Sequence, residues 1–221
     1  MDYSGFDALT FDCYGTLIDW ERGILAALPA GLDGDQALAA FAELESELEA
    51  GPYVRYREVL ARCYDGLAER FGFAAGGRDA FADSVGDWPA FPDSPAALAR
   101  LKDRFKLGVI TNCDDDLFAR SNALLGVEFD YVVTAEQVGA YKPSPRGFEA
   151  AFERIDVPRE RILHVAQSLF HDHVTAKRLG LSTVWIDRRA GRGGGATPPA
   201  EAQPDATFPD MASFADAATK R

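Results

Sequence analysis

Short apolar runs alternate with helical patterns along most of this chain, and this alternation constrains the fold more than any other feature. The apolar runs lie at 8–12, 105–112, 131–136, 161–167 and 182–187. Segments with a helical period lie at 94–105, 115–126, 144–155 and 171–180. Regular alternation of strand and helix is typical of a parallel sheet covered by helices. The sequence therefore predicts an α/β fold with a Rossmann-like core, a doubly wound parallel sheet of five strands.

The segment 17–91 interrupts this alternation with two long helical patterns and no convincing strand. The first pattern has apolar residues at Leu38, Phe41, Leu44 and Leu48, with the glutamates at 43, 45, 47 and 49 turned outward. The second has an apolar stripe formed by Tyr53, Tyr56, Leu60, Tyr64, Leu67 and Phe71. Such periodicity indicates amphipathic helices. We therefore predict a small helical cap, residues 17–91, inserted after the first strand, and a core domain formed by 1–16 and 92–221.

Composition excludes several classes of partner. The formal net charge is −12 and the pI is about 4.7, so we expect no nucleic-acid and no membrane partner. The three cysteines, Cys13, Cys63 and Cys113, are widely spaced, which favours free thiols in a reducing compartment. The start of the chain lacks a signal-peptide pattern, and we expect a cytoplasmic protein. The stretch 188–207, rich in Gly, Pro and Ala, is predicted to be a mobile surface loop.

Polar residues follow four of the predicted strands. In chain order they are Asp12, the pair Thr111 and Asn112, Lys142, and finally Ser168 and Asp172. Because the carboxyl ends of parallel strands share one edge of a sheet, ligands bind in the crevice at that edge. A single Asp at such a position is often only a helix cap. Four strand ends behaving alike predict a site with a nucleophile, small hydrogen-bonding groups, a cation and a second acid.

These residues lie in motifs that resemble a known family. The segments FDCYGTLIDW, TN at 111–112, YKPSPRGFE and SLFHD occur in the order and at the spacings of the haloacid dehalogenase superfamily. The Asp-x-Tyr-Gly-Thr form at 12–16 resembles the L-2-haloacid dehalogenases in particular. The resemblance covers nearly the whole chain, and the helical insertion is similar to the cap of that superfamily.

The resemblance also indicates which chemistry has been lost. The commoner phosphatases of the superfamily have a second Asp where this chain has Tyr14, and a metal-binding Asp where it has Ser168. That second Asp protonates the leaving alcohol, and Mg²⁺ screens the phosphate charge. A halide leaves as a stable anion and needs neither a proton donor nor a metal. The resemblance therefore implies a hydrolase of carbon–halide bonds with no metal and no cofactor.

The implied mechanism is displacement of halide from a 2-halo carboxylic acid by Asp12. An ester forms on Asp12, and water hydrolyses it to give a 2-hydroxy acid of inverted configuration. Lys142 keeps Asp12 ionised, and Asp172 positions Lys142 or activates the water. The substrate is a small anion, with Thr111 and Asn112 holding its carboxylate. Three further residues are expected to line the substrate site: Tyr14, Thr16 and Ser168.

The chain departs from the family pattern at two positions. Ala42 stands where the dehalogenases have a halide-binding arginine, and Leu169 stands where they have a water-positioning Asn. Three arginines are candidates to replace the missing one, namely Arg22, Arg55 and Arg57, although a solvated helix face is the plainer interpretation of each. His171 is a further candidate substrate ligand, whereas His164 is interpreted as a packed core residue.

Two alternatives remain open from the sequence. The first is a Mg²⁺-dependent phosphatase of the same superfamily that has lost its usual acid, and the second is a non-catalytic relative that binds a ligand or a partner. The resemblance also favours a homodimer, while the sequence leaves the oligomeric state open.

Overall fold

The computed structural model describes residues 1–190 and 200–220. The strands are β1 (Ala8–Phe11), β2 (Lys106–Thr111), β3 (Tyr131–Thr134), β4 (Ile162–Ala166), β5 (Ser182–Ile186) and β6 (Ala206–Phe208). Four helices lie between β1 and β2 before the core resumes, α1 (Trp20–Ala27), α2 (Gly34–Glu49), α3 (Tyr56–Phe71) and α4 (Arg78–Asp83). The remaining helices are α5 (Ser94–Lys102), α6 (Asp115–Leu125), α7 (Ala135–Val138), α8 (Arg146–Arg154), α9 (Val174–Arg178) and α10 (Met211–Ala218).

The strands form one parallel sheet in the order β3-β2-β1-β4-β5-β6. This confirms the predicted α/β fold and the doubly wound sheet. Strand β1 is central and buried along its whole length, as its continuous apolar run requires. Phe11 pairs with Val109 of β2 on one side and Val165 of β4 on the other. The carboxyl ends of these three strands therefore lie side by side at one edge.

The structure has elements that the sequence patterns did not indicate. Strand β6 extends the sheet to six strands, and α10 follows it. The strand has only three residues, too few for a period to be visible in the sequence. The predicted helix at 171–180 is a π-helical turn, Leu169–His173, followed by α9. Of the predicted loop at 188–207, residues 191–199 lie outside the described residues, and the last two belong to β6.

The helical insertion joins the sheet through two chain segments that run side by side. Ile18 forms an antiparallel bridge with Ala90. On either side of that bridge the Asp19 amide donates to the Pro89 carbonyl at 2.8 Å, and the Phe91 amide donates to the Leu17 carbonyl at 3.0 Å. The insertion thus leaves and re-enters the core at one place, above the end of β1. The division into a cap of 17–91 and a core stays a prediction.

The search for membrane-spanning helices gives a negative result. Across the described ranges, every helix is too short or too polar to traverse a lipid bilayer.

Gly23 in α1 provides a test of the packing between the insertion and its connecting segment. A Cβ atom at this position would lie 2.2 Å from Cγ of Trp88, a fully buried side chain. We expect Gly23→Ala to lower the free energy of unfolding by about 1–3 kcal/mol, because the rigid indole has no room to move. Urea denaturation measures this change.

Gly34→Ala is the matched control, since a Cβ there meets only the Leu25 side chain at 3.4 Å. Unchanged or raised stability in both variants would show that α1 does not pack against Trp88 as described.

Candidate active site

A buried ion cluster lies at the shared edge of β1, β2 and β4. The Lys142 ammonium is 2.8 Å from Oδ1 of Asp12 and 2.8 Å from Oδ1 of Asp172. It also donates to the Ile110 carbonyl at 2.9 Å, which satisfies its third proton. Thr16 donates its hydroxyl to the other oxygen of Asp12 at 2.7 Å. The structure thus joins the three residues predicted to be catalytic through direct contacts.

Electrostatics in this cluster stabilise the charged forms of the cation and the second acid. Burial alone would lower the pKa of Lys142, but the carboxylates of Asp12 and Asp172 outweigh it and hold that pKa above its usual value. Burial opposes ionisation of Asp172, yet Lys142 and His164 hold its pKa well below the usual range. Burial raises the pKa of Asp12, and Lys142 opposes that shift. The contact with Lys142 therefore favours the ionised form of Asp12.

His164 belongs to this cluster, which the sequence interpretation missed. Its Nε2 lies 3.0 Å from Oδ1 of Asp172, and its Nδ1 lies 2.9 Å from the hydroxyl of Thr10. Because the Asp172 carboxylate only accepts hydrogen bonds, Nε2 carries the proton and Nδ1 accepts from Thr10. The alternation of β4 points His164 to the same face as the cluster, but a lone histidine within an apolar strand gives no signal of this role.

The cluster forms the floor of a small pocket with a cavity volume of about 50 Å³. Its walls come both from the strand ends and from helices α2 and α3 of the insertion. The lining residues are Asp12, Tyr14, Trp20, Glu45, Glu49, Tyr56, Asn112, Lys142, Gln167, Ser168, His171 and Asp172. Of the residues predicted from sequence, Asp12, Tyr14, Asn112, Lys142, Ser168, His171 and Asp172 line the pocket.

Two glutamates of α2 correct the predicted orientation of that helix. Glu45 and Glu49 line the pocket and are largely buried, whereas Glu43 and Glu47 are exposed. Glu45 lies seven residues after Leu38, on the same face as that buried leucine. The apolar stripe therefore continues into acidic residues at the pocket, and this continuation is visible in the sequence.

Both glutamates are held by hydrogen bonds from neutral donors. The Tyr56 hydroxyl donates to Oε1 of Glu45 at 2.7 Å, and the Asn112 amide donates to Oε2 of Glu49 at 3.1 Å. Burial raises the pKa of Glu45 to about 7, against the effect of the Tyr56 hydrogen bond. Burial and the nearby Glu45 raise the pKa of Glu49 well above its usual value. Helix α2 therefore brings two largely buried acids to the pocket wall, where the imidazole of His171 lies 3.9 Å from Oε2 of Glu49.

The two residues predicted to hold a substrate carboxylate differ in their surroundings: the Asn112 side chain is fully hydrogen-bonded, and the Thr111 hydroxyl is buried without a partner among the described residues. The Asn112 amide is divided between Glu49 and the Lys142 carbonyl, at 3.1 Å each, and its oxygen accepts from the Lys142 amide at 2.7 Å. Thr111 is buried and does not line the pocket. Asn112 therefore fixes the backbone of Lys142, and the predicted role of Thr111 in substrate binding stays a prediction.

The three candidate arginines lie elsewhere, which corrects their prediction as substrate ligands. Arg22 is exposed on α1. The Arg55 guanidinium is 3.3 Å from Asp116 and 3.0 Å from Glu136, and Arg57 is paired with Asp83 and Asp116 at 2.8 Å each. None of the three lines the pocket. Arg55 also lies 3.7 Å from the buried carboxylate of Asp114, while the Arg55 side chain itself is about half exposed.

The other predicted residues lie around Asp12. The Tyr14 hydroxyl lies 3.0 Å from the Ser121 hydroxyl, and burial raises the pKa of Tyr14 well above its usual value. Thr16 is fully buried and contacts Asp12 instead of open space in the pocket. Ser168 caps the π-helical turn by accepting from the His171 amide at 2.9 Å. Burial lowers the pKa of His171 to about 4, so its imidazole is neutral at neutral pH.

The donor set does not fit the magnesium site of the phosphatases. Lys142 lies between Asp12 and Asp172, and Ser168 supplies a hydroxyl where those enzymes have a carboxylate. Within residues 1–190 and 200–220, no group of three or more His, Cys, Asp or Glu side chains is arranged to hold a metal ion. We therefore derive no catalytic step through a metal.

Comparison with known proteins agrees with this fold. The chain belongs to the haloacid dehalogenase-like hydrolase family, and the sequence model of that family matches residues 6–180. This confirms the resemblance noted in the sequence and makes the protein a hydrolase of that family.

Individual relatives carry different names within the family. Haloacetate dehalogenase H-2 of Moraxella sp. (strain B) is 25% identical over 194 residues, 82% of this chain and 86% of the relative. Glyceraldehyde 3-phosphate phosphatase of Methanothermobacter thermautotrophicus is 33% identical over 100 residues, 44% of each chain. The solved structure of the L-2-haloacid dehalogenase PA0810 has a TM-score of 0.82 at 22% identity, covering 96% of this chain and 99% of the other.

Replacing Lys142 tests the ion cluster. We expect Lys142→Met to lower the free energy of unfolding at neutral pH by about 3–5 kcal/mol, because two buried carboxylates lose their cation. Without the ammonium, the pKa of each carboxyl in the folded state rises above its unfolded value, so the deficit grows as the pH rises and shrinks in acid. Chemical denaturation at several pH values measures it.

Lys102→Met is the control, because Lys102 forms a more exposed pair with Asp130 and should change stability by at most about 1 kcal/mol. Equal effects of the two substitutions would contradict the buried cluster.

The raised pKa of Glu45 predicts that the free energy of unfolding depends on pH. Its pKa rises from 4.5 in the unfolded chain to about 7 in the folded protein, so its contribution is fully present below the unfolded value and is lost as the pH rises through the folded one. Between about pH 4.5 and 7, wild-type stability should fall relative to Glu45→Gln by about 3 kcal/mol. Denaturation curves of both proteins across this range give the difference.

Glu47→Gln alters an exposed residue of the same helix and should keep the wild-type profile. A Glu45→Gln profile parallel to that of the wild type would show that this carboxyl titrates normally.

Proposed function

We propose that this protein is a hydrolase that displaces halide from carbon through an ester intermediate on Asp12. The observation that carries the proposal is a carboxylate held by a buried cation, with a tyrosine two positions on, where the phosphatases of the superfamily have their acid. Asp12 is held by Lys142 and Thr16, while the residue two positions on is Tyr14, whose raised pKa makes it a poor acid. Halide is a leaving group that needs no proton, whereas an alcohol leaving group needs one.

The first step is attack by a carboxylate oxygen of Asp12 on the carbon that carries the halogen. A carbon–oxygen bond forms as the carbon–halogen bond breaks, and the halide leaves with the bonding electron pair. The Lys142 ammonium holds Asp12 in place during this step, at 2.8 Å from its Oδ1. The product of the step is a neutral ester, so one negative charge moves from Asp12 to the departing halide.

In the second step, water attacks the carbonyl carbon of the Asp12 ester. The bond between that carbon and the oxygen that Asp12 gave to the substrate carbon breaks. The alcohol leaves with one proton of the water, the second proton passes to solvent, and the carboxylate is restored. Asp172 supports this step, because its Oδ2 is buried at the pocket and has no hydrogen-bond partner among the described residues. We propose that this oxygen orients the water, while Oδ1 remains bonded to Lys142 and His164.

The substrates suggested by the resemblance are 2-halo carboxylic acids, which would give 2-hydroxy acids. Relatives named haloacid dehalogenases support that class. The relative named a phosphatase supports the alternative of phosphate-ester hydrolysis, which the donor set around Asp12 and Ser168 does not favour. A matched set of substrates distinguishes these chemistries.

Halide release provides the test of the proposed reaction. We expect the purified protein to release halide from one or more members of a panel of 2-chloropropanoate (both configurations), 3-chloropropanamide and 3-chloropropylamine, equally with and without EDTA. Asp12→Asn should reduce that rate at least about a thousandfold, because the amide is a poor nucleophile. An ion-selective electrode measures the halide, and thermal melting shows that the variant is folded.

A generic phosphate ester is assayed in parallel. Phosphate release that EDTA abolishes, with no halide release, would establish the phosphatase alternative. No turnover of either kind, with a folded protein, would favour the non-catalytic ligand-binding relative.

A further inference from the structure

The charges around the pocket are unusual for a site expected to take an anion. Four carboxyl groups line it, those of Asp12, Asp172, Glu45 and Glu49, against one ammonium, Lys142. That ammonium is already in contact with two of the carboxylates. His171 is neutral at neutral pH and adds no positive charge. Among the described residues that line the pocket, no unpaired cation remains for a substrate carboxylate.

Glu49 occupies the donor that such a carboxylate would use. The Asn112 amide at the end of β2 already donates to Oε2 of Glu49. The protein thus places its own carboxylate where the sequence led us to expect the carboxylate of the substrate. A substrate carboxylate there would have to displace Glu49 from the Asn112 amide.

Each of the two glutamates uses one carboxyl oxygen to accept a hydrogen bond from a neutral donor. The Tyr56 hydroxyl uses Oε1 of Glu45, and the Asn112 amide uses Oε2 of Glu49. Within the described part of the chain, the second oxygen of each carboxyl has no hydrogen-bond partner, and neither is sealed away from the pocket. The residues are four positions apart on α2, so both oxygens are on one helix face above Asp12.

Two further observations point to a ligand that brings hydrogen-bond donors. Asp172 lines the same pocket, and its Oδ2 is buried with no hydrogen-bond partner among the described residues. Aromatic side chains at Trp20 and Tyr56 line the wall beside the glutamates. Aromatic faces and carboxylates together are the surroundings that favour an organic cation.

We propose that this pocket selects a small substrate with a positively charged amino group, bound between Glu45 and Glu49, and that it rejects carboxylates. The reacting carbon then lies below, at Asp12, while the ammonium donates to the two free glutamate oxygens. The reaction in this inference rests on the proposed function, whereas the binding preference does not. The cavity of about 50 Å³ limits the ligand to a few non-hydrogen atoms unless the pocket opens.

Binding of unreactive analogues tests this preference without turnover. Dissociation constants for propylammonium, propanamide and propanoate are measured by ligand-observed NMR titration at pH 8, where both glutamates have lost more of their protons. We expect propylammonium to bind at least about tenfold more tightly than propanoate, with propanamide between them. Tighter binding of propanoate, or binding of none of the three, would overturn the proposal.

Two isosteric variants locate the selectivity. Glu49→Gln and Glu45→Gln should each weaken propylammonium about tenfold and strengthen propanoate. Glu47→Gln, exposed on the same helix, should change neither constant. An unchanged order of affinities in Glu45→Gln and Glu49→Gln, with melting curves showing folded proteins, would place the cation elsewhere and contradict the proposal.

Turnover then separates this inference from the proposed reaction. Halide release from 3-chloropropylamine in preference to 3-chloropropanoate supports both. Selective binding of propylammonium without any halide release would keep the recognition and remove the dehalogenase reaction. Faster release from 3-chloropropanoate than from 3-chloropropylamine would keep the reaction and overturn the recognition.

Discussion

The ammonium of Lys142, held between two buried carboxylates, is the interaction on which the rest of the site depends. Burying three charges is unfavourable unless each is paired and hydrogen-bonded, and here the ammonium has three acceptors at 2.8–2.9 Å. The geometry requires the ends of β1, β2 and β4 to lie side by side. It also requires the loop after β3 to return beneath them, which Asn112 enforces by bonding the Lys142 backbone on both sides.

Helix α2 adds acidic side chains to the pocket, whereas a site for an anionic substrate is expected to have basic ones. Its helix α2 presents Glu45 and Glu49 to a pocket whose floor is already acidic, and their raised pKa values measure the free energy of holding them there. Such groups persist where a ligand or a function requires them, since burial of an unpaired carboxylate opposes folding. In the proposed account the floor of the pocket supplies the reaction, and the acidic wall selects the molecules that reach Asp12.

The sequence predicts the sheet and the floor of the site well, because both follow from local patterns. The strands β1, β2 and β4 each end within two residues of a candidate site residue, and parallel strands place these ends together. The residues of the pocket wall were harder to predict, because they depend on how α2 is rotated about its axis. The stripe from Leu38 and Phe41 continues to Glu45, yet a glutamate is ordinarily assigned to solvent. The surroundings of Arg55 and Arg57 were hard to predict for a related reason, because their acidic partners on α6 and α7 are distant in sequence.

Isotope labelling tests the central claim that Asp12 is the nucleophile. The protein, in molar excess over 3-chloropropylamine or 2-chloropropanoate, is allowed a single turnover in ¹⁸O-enriched water and then digested for mass spectrometry. Because water attacks the ester carbonyl, we predict that one ¹⁸O atom enters the carboxylate of Asp12 and that the alcohol product carries none. Label in the alcohol, with the peptide containing Asp12 unlabelled, would show direct attack by water and contradict the account.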